Sequence, residues 1–209
     1  MKNLSVFYEW IAKFYDLLDV FYFCNESTSP RKALEELVPE GEMHIADICI
    51  GTAVNSIRIA KKHPAAHIVG VDRSKEMLRM ARKKLNKEGI SNIKLYYGSA
   101  DNIKIEDNVF DIAVLSLVLH ECTEVQARNI LKEAYRILKA DGKLLIMEWE
   151  EPRKLFRRVM FGIIRRMKPK EFENFLKMDM KEYMRKNGFE IIKMKHCDYS
   201  RVLECRKVG

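Results

Sequence analysis

The sequence predicts an α/β protein built on a doubly wound, mostly parallel sheet of seven strands, and three observations carry that expectation. Short apolar runs alternate with amphipathic stretches from residue 43 to residue 149. Successive runs are separated by helix-length stretches rather than tight turns, so the strands need crossover connections and lie parallel. Two further runs, at 189–196 and 201–206, follow Gly188 with no helix between them. They read as a terminal hairpin, which forces one strand to run antiparallel to the rest.

Taken in order, residues 4–19 put Leu4, Phe7, Tyr8, Ile11, Phe14, Tyr15 and Leu18 on one face of a helix. Ser29 and Pro30 supply an N-cap and a first-turn proline for a second helix that stops near Pro39. Together these make a helical cap over 1–40. Strands are expected at 43–49, 67–72, 92–97, 109–116 and 143–149, and helices over 53–63, 74–88 and 123–138. Ser74 caps the helix that ends before Gly89, Thr123 with Gln126 forms a capping box, and Asn187-Gly188 stops a helix. A chain of 209 residues, 47% of them hydrophobic, can bury one core, so a single domain over 1–209 is expected.

Composition narrows the setting. The longest strongly apolar run, Ile112 to Leu119, is too short to cross a membrane. Glu9, Asp16 and Asp19 interrupt the apolar residues near the start, which is unlike a secretory signal, and a cytoplasmic protein is expected. Cys24, Cys49, Cys122, Cys197 and Cys205 are scattered and show no ligand spacing, so reduced thiols and no metal site are expected.

The net charge of +8 has one source. Arg153, Lys154, Arg157, Arg158, Arg165, Arg166, Lys168 and Lys170 lie between Pro152 and Lys170 with no acidic residue among them, and the rest of the chain balances. This stretch opens a basic helical lid over 152–187. Leu155, Val159, Ile163 and Met167, with Phe156, Met160 and Ile164 beside them, form an apolar side expected to cover the sheet. Arg153, Arg157, Arg158 and Arg165 fall largely on the other side. Such a lid suits an anionic substrate or weak contact with an anionic membrane surface. Nucleic acid is not expected, since the patch has no aromatic platform and no recognised binding module.

The chemistry sits at the first two strands. His44-Ile-Ala-Asp47-Ile-Cys-Ile-Gly51-Thr52-Ala53 runs from a strand through a tight turn into a helix, and Ile68-Val-Gly-Val71-Asp72 ends in a carboxylate 21 positions after Gly51. In an open α/β sheet, ligands bind beyond the carboxyl ends of the strands, and a carboxylate there can accept both hydroxyls of a ribose. Otherwise Asp72 merely caps the next helix together with Ser74. A nicotinamide enzyme would show G-x-G-x-x-G for its pyrophosphate, whereas this turn has one glycine. S-adenosylmethionine (SAM) carries no pyrophosphate and fits the turn better.

Further pieces follow at regular places: Val71-Asp72-Arg-Ser-Lys-Glu-Met77, Gly98-Ser-Ala-Asp-Asn102, Phe110-Asp111 through Ser116-Leu-Val-Leu-His120, Glu133-Ala-Tyr-Arg-Ile-Leu-Lys139, Gly142 and Glu148-Trp149. With these, Tyr15-Asp16 to Trp149 resembles the class I SAM-dependent methyltransferases of the ubiquinone/menaquinone-biosynthesis type. The resemblance implies a Rossmann-like sheet whose last-but-one strand in space is antiparallel. It also implies that Gly51 and Thr52 meet the methionine part of SAM, Asp72 the ribose, Ser99 and Ala100 the adenine, and Ser116 the methionine end. The family's Gly-x-Gly-x-Gly turn is here Cys49-Ile-Gly51-Thr-Ala53, a shape that survives if neither replaced position needs a positive φ. His120 follows the fourth strand, where an acceptor would meet the methyl group, and suits a general base or an acceptor-orienting residue. The expected function is methyl transfer from SAM to a small or lipid-like acceptor. A SAM-binding protein without turnover and an NAD(P)-dependent oxidoreductase are the other readings.

Overall fold

The computed structural model describes residues 26–168 and 170–208; the helix expected over 4–19, with Tyr15, Asp16 and Cys24, lies outside the described residues. In chain order the elements are α1 (Pro30–Glu35), β1 (His44–Ile48), α2 (Val54–Lys62), β2 (His67–Asp72), α3 (Lys75–Glu88), β3 (Ile93–Tyr97), β4 (Phe110–Ser116) and α4 (Glu124–Ile137). There follow β5 (Leu138–Trp149), α5 (Leu155–Met167), α6 (Lys170–Lys177), α7 (Met180–Lys186), β6 (Phe189–His196) and β7 (Ser200–Lys207). The seven strands form one sheet in the order β3-β2-β1-β4-β5-β7-β6. The first five are mutually parallel, and β7 runs antiparallel to both β5 and β6. The expected hairpin is therefore present, with its second strand inserted between the first and the rest of the sheet.

Burial on both faces explains why these strands are near-continuous apolar runs. Along β4, Ala113 and Leu115 face Ala127, Ile130, Leu131 and Ala134 of α4 with Met180 and Met184 of α7. Ile112 and Val114 face Leu34 of α1, Ile57 and Ala60 of α2, and Leu78 and Ala81 of α3. The helix starts follow their caps: Ser74 accepts from the Met77 N–H, and Thr123 and Gln126 close a reciprocal box. At Ser29 the side chain accepts from Lys32, and α1 ends at Glu35, short of Pro39. Strand β5 starts earlier than expected, at Leu138, because the β4–β5 register shifts between Phe110 and Ile112 and lets residues 138–142 join as an irregular extension.

Helix α5 departs from the sequence expectation. Phe161 and Ile164 are buried, whereas Leu155, Phe156, Val159 and Ile163 are exposed by 77%, 77%, 69% and 52%. The side chain of Met167 lies outside the described residues. The cause is an aromatic cluster in which Trp149, Phe161, Phe172 and Tyr199 pack together with Ile164. Phe161 stacks on Tyr199 with ring centroids 6.4 Å apart and also meets Trp149 at 5.9 Å. Four such rings bury more apolar surface than the aliphatic row at 155, 159 and 163, so they set the rotation of the helix. Four of the basic side chains are also not simply solvated. Arg157 pairs with Asp198, Arg158 with Glu151, Arg165 with Glu173 and Glu151, and Lys168 with Glu121.

Gly70 in β2 is required by the turn that follows β1. A Cβ there would lie 2.2 Å from Cδ1 and 3.1 Å from Cγ2 of Ile50. Gly70→Ala is expected to destabilise the fold by about 1–3 kcal/mol through overpacking, and Ile50→Val, which removes Cδ1, should recover part of that loss. Denaturant unfolding of the two single variants and the double variant checks the coupling.

Candidate active site

A cavity of about 520 Å³ opens at the carboxyl ends of β1, β2 and β4 and beside the loop after β3. Gly51, Thr52, Asp72, Ser99, Ala100 and Ser116 all line it, so six of the residues singled out from sequence converge on one site. His120 does not line it.

The turn after β1 keeps its shape under strain. Cys49, Gly51 and Ala53 have φ of 62°, 57° and 63°, so all three lie in the left-handed region. Both replaced positions do need a positive φ, so the condition read from sequence is not met: cysteine and alanine each occupy a conformation that favours glycine, at a cost of about 1–2 kcal/mol. Asp72 is what holds the turn. One carboxylate oxygen accepts from the Gly51 N–H at 2.9 Å and the other from the Ser74 N–H at 2.8 Å. Ile50 adds a bond from its N–H to the Val71 carbonyl at 3.1 Å. Both readings of Asp72 meet here, since it braces the next helix start and faces the cavity.

The opposite wall is the loop after β3. Ser99 Oγ donates to Asp101 Oδ1 at 2.5 Å, and both line the cavity. The rest of the loop is tied to α4. Glu133 accepts from the Ile103 N–H at 2.8 Å, and Arg136 donates to the carbonyls of Ile103 and Ile105, each at 2.8 Å. The Glu133–Arg136 signature therefore acts at a distance, as a brace for the Ser99–Asp101 wall.

Sequence reasoning missed two residues. Asp47 is 3% exposed, accepts from Ser56 Oγ through Oδ2 at 2.5 Å, and leaves Oδ1 without a hydrogen bond. Burial pushes its carboxyl up to about 7, against the bond from Ser56, which favours ionisation. A carboxylate inside an otherwise apolar parallel strand was the available signal. Arg31 of α1 also lines the cavity and donates to Asn55 Oδ1. Nothing in the local pattern marks it, because its place depends on how α1 packs across α2. Ser116 Oγ is likewise buried and unbonded at the cavity wall.

His120 sits behind that wall, 1% exposed, with its ring edge-on to Phe172, Phe175 and Trp149. Nδ1 is 2.8 Å from Glu148 Oε2, and Nε2 is 3.0 Å from Lys168 Nζ and 3.5 Å from Glu121. A neutral ring accepts from Lys168 at Nε2, while a protonated ring offers that N–H to Glu121. Glu148, fully buried, receives through Oε1 the backbone N–H groups of Val118 at 2.8 Å and Leu119 at 2.6 Å. The His120–Glu148 pair thereby fixes the bend after β4, where Leu117 takes a φ of 57° and faces the cavity. Burial works to lower the His120 pKa, but the Glu148 carboxylate, helped by Glu121, outweighs it and raises the value.

These donors and acceptors fit SAM. Asp47 and Ser116, each with a buried oxygen that has no hydrogen bond, line a space bordered by Arg31 and the start of α2, and the ring of polar groups is completed by Asp72 and Ser99. An ammonium, a carboxylate and two ribose hydroxyls each find an opposite partner there. A cavity at the switch point of this sheet, without the pyrophosphate glycines of a dinucleotide site, is the arrangement expected of a class I SAM-dependent methyltransferase.

The comparisons agree. Residues 45–142 match the methyltransferase-domain family. A demethylmenaquinone methyltransferase of Geobacillus sp. (strain WCH70) is 29% identical over 165 residues, covering 78% of this chain and 70% of that protein. One of Listeria welshimeri is 30% identical over 141 residues, covering 67% of this chain and 59% of that protein. A SAM-dependent methyltransferase structure from Aquifex aeolicus superposes with a TM-score of 0.74 at 20% identity, over 96% of this chain and 98% of that one. The chain is a class I SAM-dependent methyltransferase that resembles the menaquinone-biosynthesis enzymes. Among the described residues, no helix is long and apolar enough to cross a membrane.

His120→Ala would leave the Glu148 carboxylate buried without its side-chain donor and should cost about 3–5 kcal/mol, whereas His120→Asn, which retains an N–H near Nδ1, should lose much less. Because the folded-state pKa of His120 is raised, its contribution is full below the unfolded value and is lost as pH rises through the folded one. Wild-type stability should therefore fall on the alkaline side, and that component should vanish in His120→Asn. Urea unfolding across pH checks both expectations.

Proposed function

We propose that this protein transfers the methyl group of SAM to an apolar, lipid-like acceptor, and the buried, unbonded oxygens of Asp47 and Ser116 at the cavity wall are the observation that carries the reading. When bound, SAM supplies an electrophilic methyl group on a sulfonium. Asp47 accepts from the methionine ammonium, and Arg31 with the N-terminus of α2 receives the carboxylate. That terminus begins at Ala53 without a side-chain cap, which suits an anion. Asp72 accepts from the ribose hydroxyls with the lone pairs that Gly51 and Ser74 leave over, Gly51 and Thr52 lie along the methionine part, and Ser99 and Ala100 border the adenine.

The acceptor side is mainly apolar, with Glu121 and Gln126 as its polar groups. Leu117, Val118, Ile130 and Met147 line the cavity next to Ser116, and the related proteins are named for a quinone. Transfer from a sulfonium depends chiefly on in-line positioning of a nucleophile. His120 suits a positioning role, holding the 117–119 bend through Glu148, with α5 to α7 as the lid over the acceptor. Glu121 is a weak base, because His120 and Lys168 hold its carboxyl at about 2 although burial works to raise it.

The test is methyl transfer from isotopically labelled SAM into an apolar extract or a demethylated quinone, with NAD(P) as the ligand expected not to bind. Tighter binding of NAD(P) than of SAM would overturn the reading, and SAM binding without labelled product from any acceptor would leave a binding protein. Two variants refine it. Asp72→Asn, with one charged acceptor removed, should weaken SAM binding by about 1.5–3 kcal/mol. In the free protein Asp47 is protonated below about 7 and must ionise to pair with an ammonium. SAM affinity should then fall below that pH by up to about tenfold per unit, and Asp47→Asn should bind weakly with a flat profile. Calorimetry between pH 5 and 8 reads both.

A further inference from the structure

Helix α5 carries an apolar stripe that stays exposed among the described residues. Leu155, Phe156, Val159 and Ile163 are half of the large hydrophobic side chains exposed among the described residues, and all four share one side of a 13-residue helix. The others, Tyr96, Tyr97, Val125 and Ile192, are scattered over three elements. A stripe of this kind on one helix marks a contact surface rather than ordinary surface apolarity.

Charge identifies what it contacts. Arg157, Arg158, Arg165 and Lys168 are each paired with a carboxylate of the fold. Arg153, Lys154 and Arg166 have no ion pair among the described residues and are exposed. Arg153 and Lys154 precede the first turn beside Leu155, and Arg166 lies one turn beyond Ile163 and two beyond Val159 on the same side. The charges left over thus border the apolar stripe. A second copy of the chain meeting this face would set cation against cation, whereas an anionic bilayer satisfies both features at once.

We propose that α5 lies in the plane of an anionic membrane surface, with Leu155, Phe156, Val159 and Ile163 among the acyl chains and Arg153, Lys154 and Arg166 at the headgroups. A helix of this length extends about 20 Å along the surface. Its inner side, Phe161 and Ile164, packs in the cluster with Trp149 that also contacts Leu117, and Leu117 lines the SAM cavity. The docking surface therefore backs onto the acceptor wall. The stripe and its bordering charges are present whatever the acceptor proves to be.

Cosedimentation with vesicles of phosphatidylcholine alone, and with phosphatidylserine or phosphatidylglycerol added, tests it without reference to catalysis. Binding is expected to anionic vesicles, to weaken with salt, and to be small for neutral ones. Each such charge multiplies partitioning roughly fivefold, so Arg153→Gln, Lys154→Gln and Arg166→Gln combined should lower binding by roughly a hundredfold. Phe156→Ser should lower it as well, and neither variant should shift thermal unfolding, because none of these side chains is buried. Equal binding by wild type and variants, or none to anionic vesicles at low salt, overturns the proposal. So does a dimer in sedimentation velocity that Phe156→Ser dissociates while vesicle binding is unchanged, which would assign the stripe to a second copy.

Discussion

The Asp72 carboxylate joins the two strands on which the cavity depends. Its 2.9 Å bond from Gly51 fastens the turn after β1 to the end of β2, and its 2.8 Å bond from Ser74 starts α3. A single side chain thus aligns the floor of the site and begins the next crossover. The turn needs such a brace, since Cys49 and Ala53 hold left-handed backbone without being glycine. Ile50 locks the same turn from below by filling the space that Gly70 leaves open in β2. The strain is retained because charged acceptor, backbone bonds and packing all specify one conformation.

The same logic extends to the walls. Glu133 and Arg136 secure the loop that carries Ser99 and Asp101, and Glu148 with His120 secures the bend that carries Leu117 and Val118. These residues belong to the recognisable signature of the class, yet none of the four borders the cavity. Their chemistry is the satisfaction of backbone groups in loops that would otherwise be free to move. A motif residue can therefore matter to ligand binding while never meeting the ligand.

Much of this was legible in the sequence. Strands β1 to β4 lie within a residue or so of their expected ends, because parallel strands buried on both faces read as apolar runs. Thr123, Ser74 and Gly89 fixed helix ends through local chemistry. Of the six cavity residues, Gly51 and Asp72 followed from strand ends, and Thr52, Ser99, Ala100 and Ser116 from the family resemblance. What the sequence did not report was set by contacts distant in the chain. The rotation of α5 is decided by Trp149, Phe172 and Tyr199, none of which its own periodicity can report. Arg31 reaches the site only through the packing of α1. His120 was read from its position after β4, but its surroundings come from α6 and β5, which enclose the ring.

The position of β7 carries a consequence for how the chain assembles. It is the last of the seven strands in order but sits inside the sheet, with Lys143 opposite Arg206 and Trp149 opposite Ser200 on one edge and β6 on the other. During synthesis β5, paired with β4 on one edge only, and β6 are both complete before β7 exists to join them. The free edge of β5 holds the buried run from Leu144 to Met147, a segment open to pairing with any extended chain that arrives first. Closure brings together segments more than fifty residues apart, a slow kind of contact. Early growth of the parallel half on β1 to β4, followed by late insertion of β7, gives the nascent chain a defined interval in which β5 is exposed to mispairing.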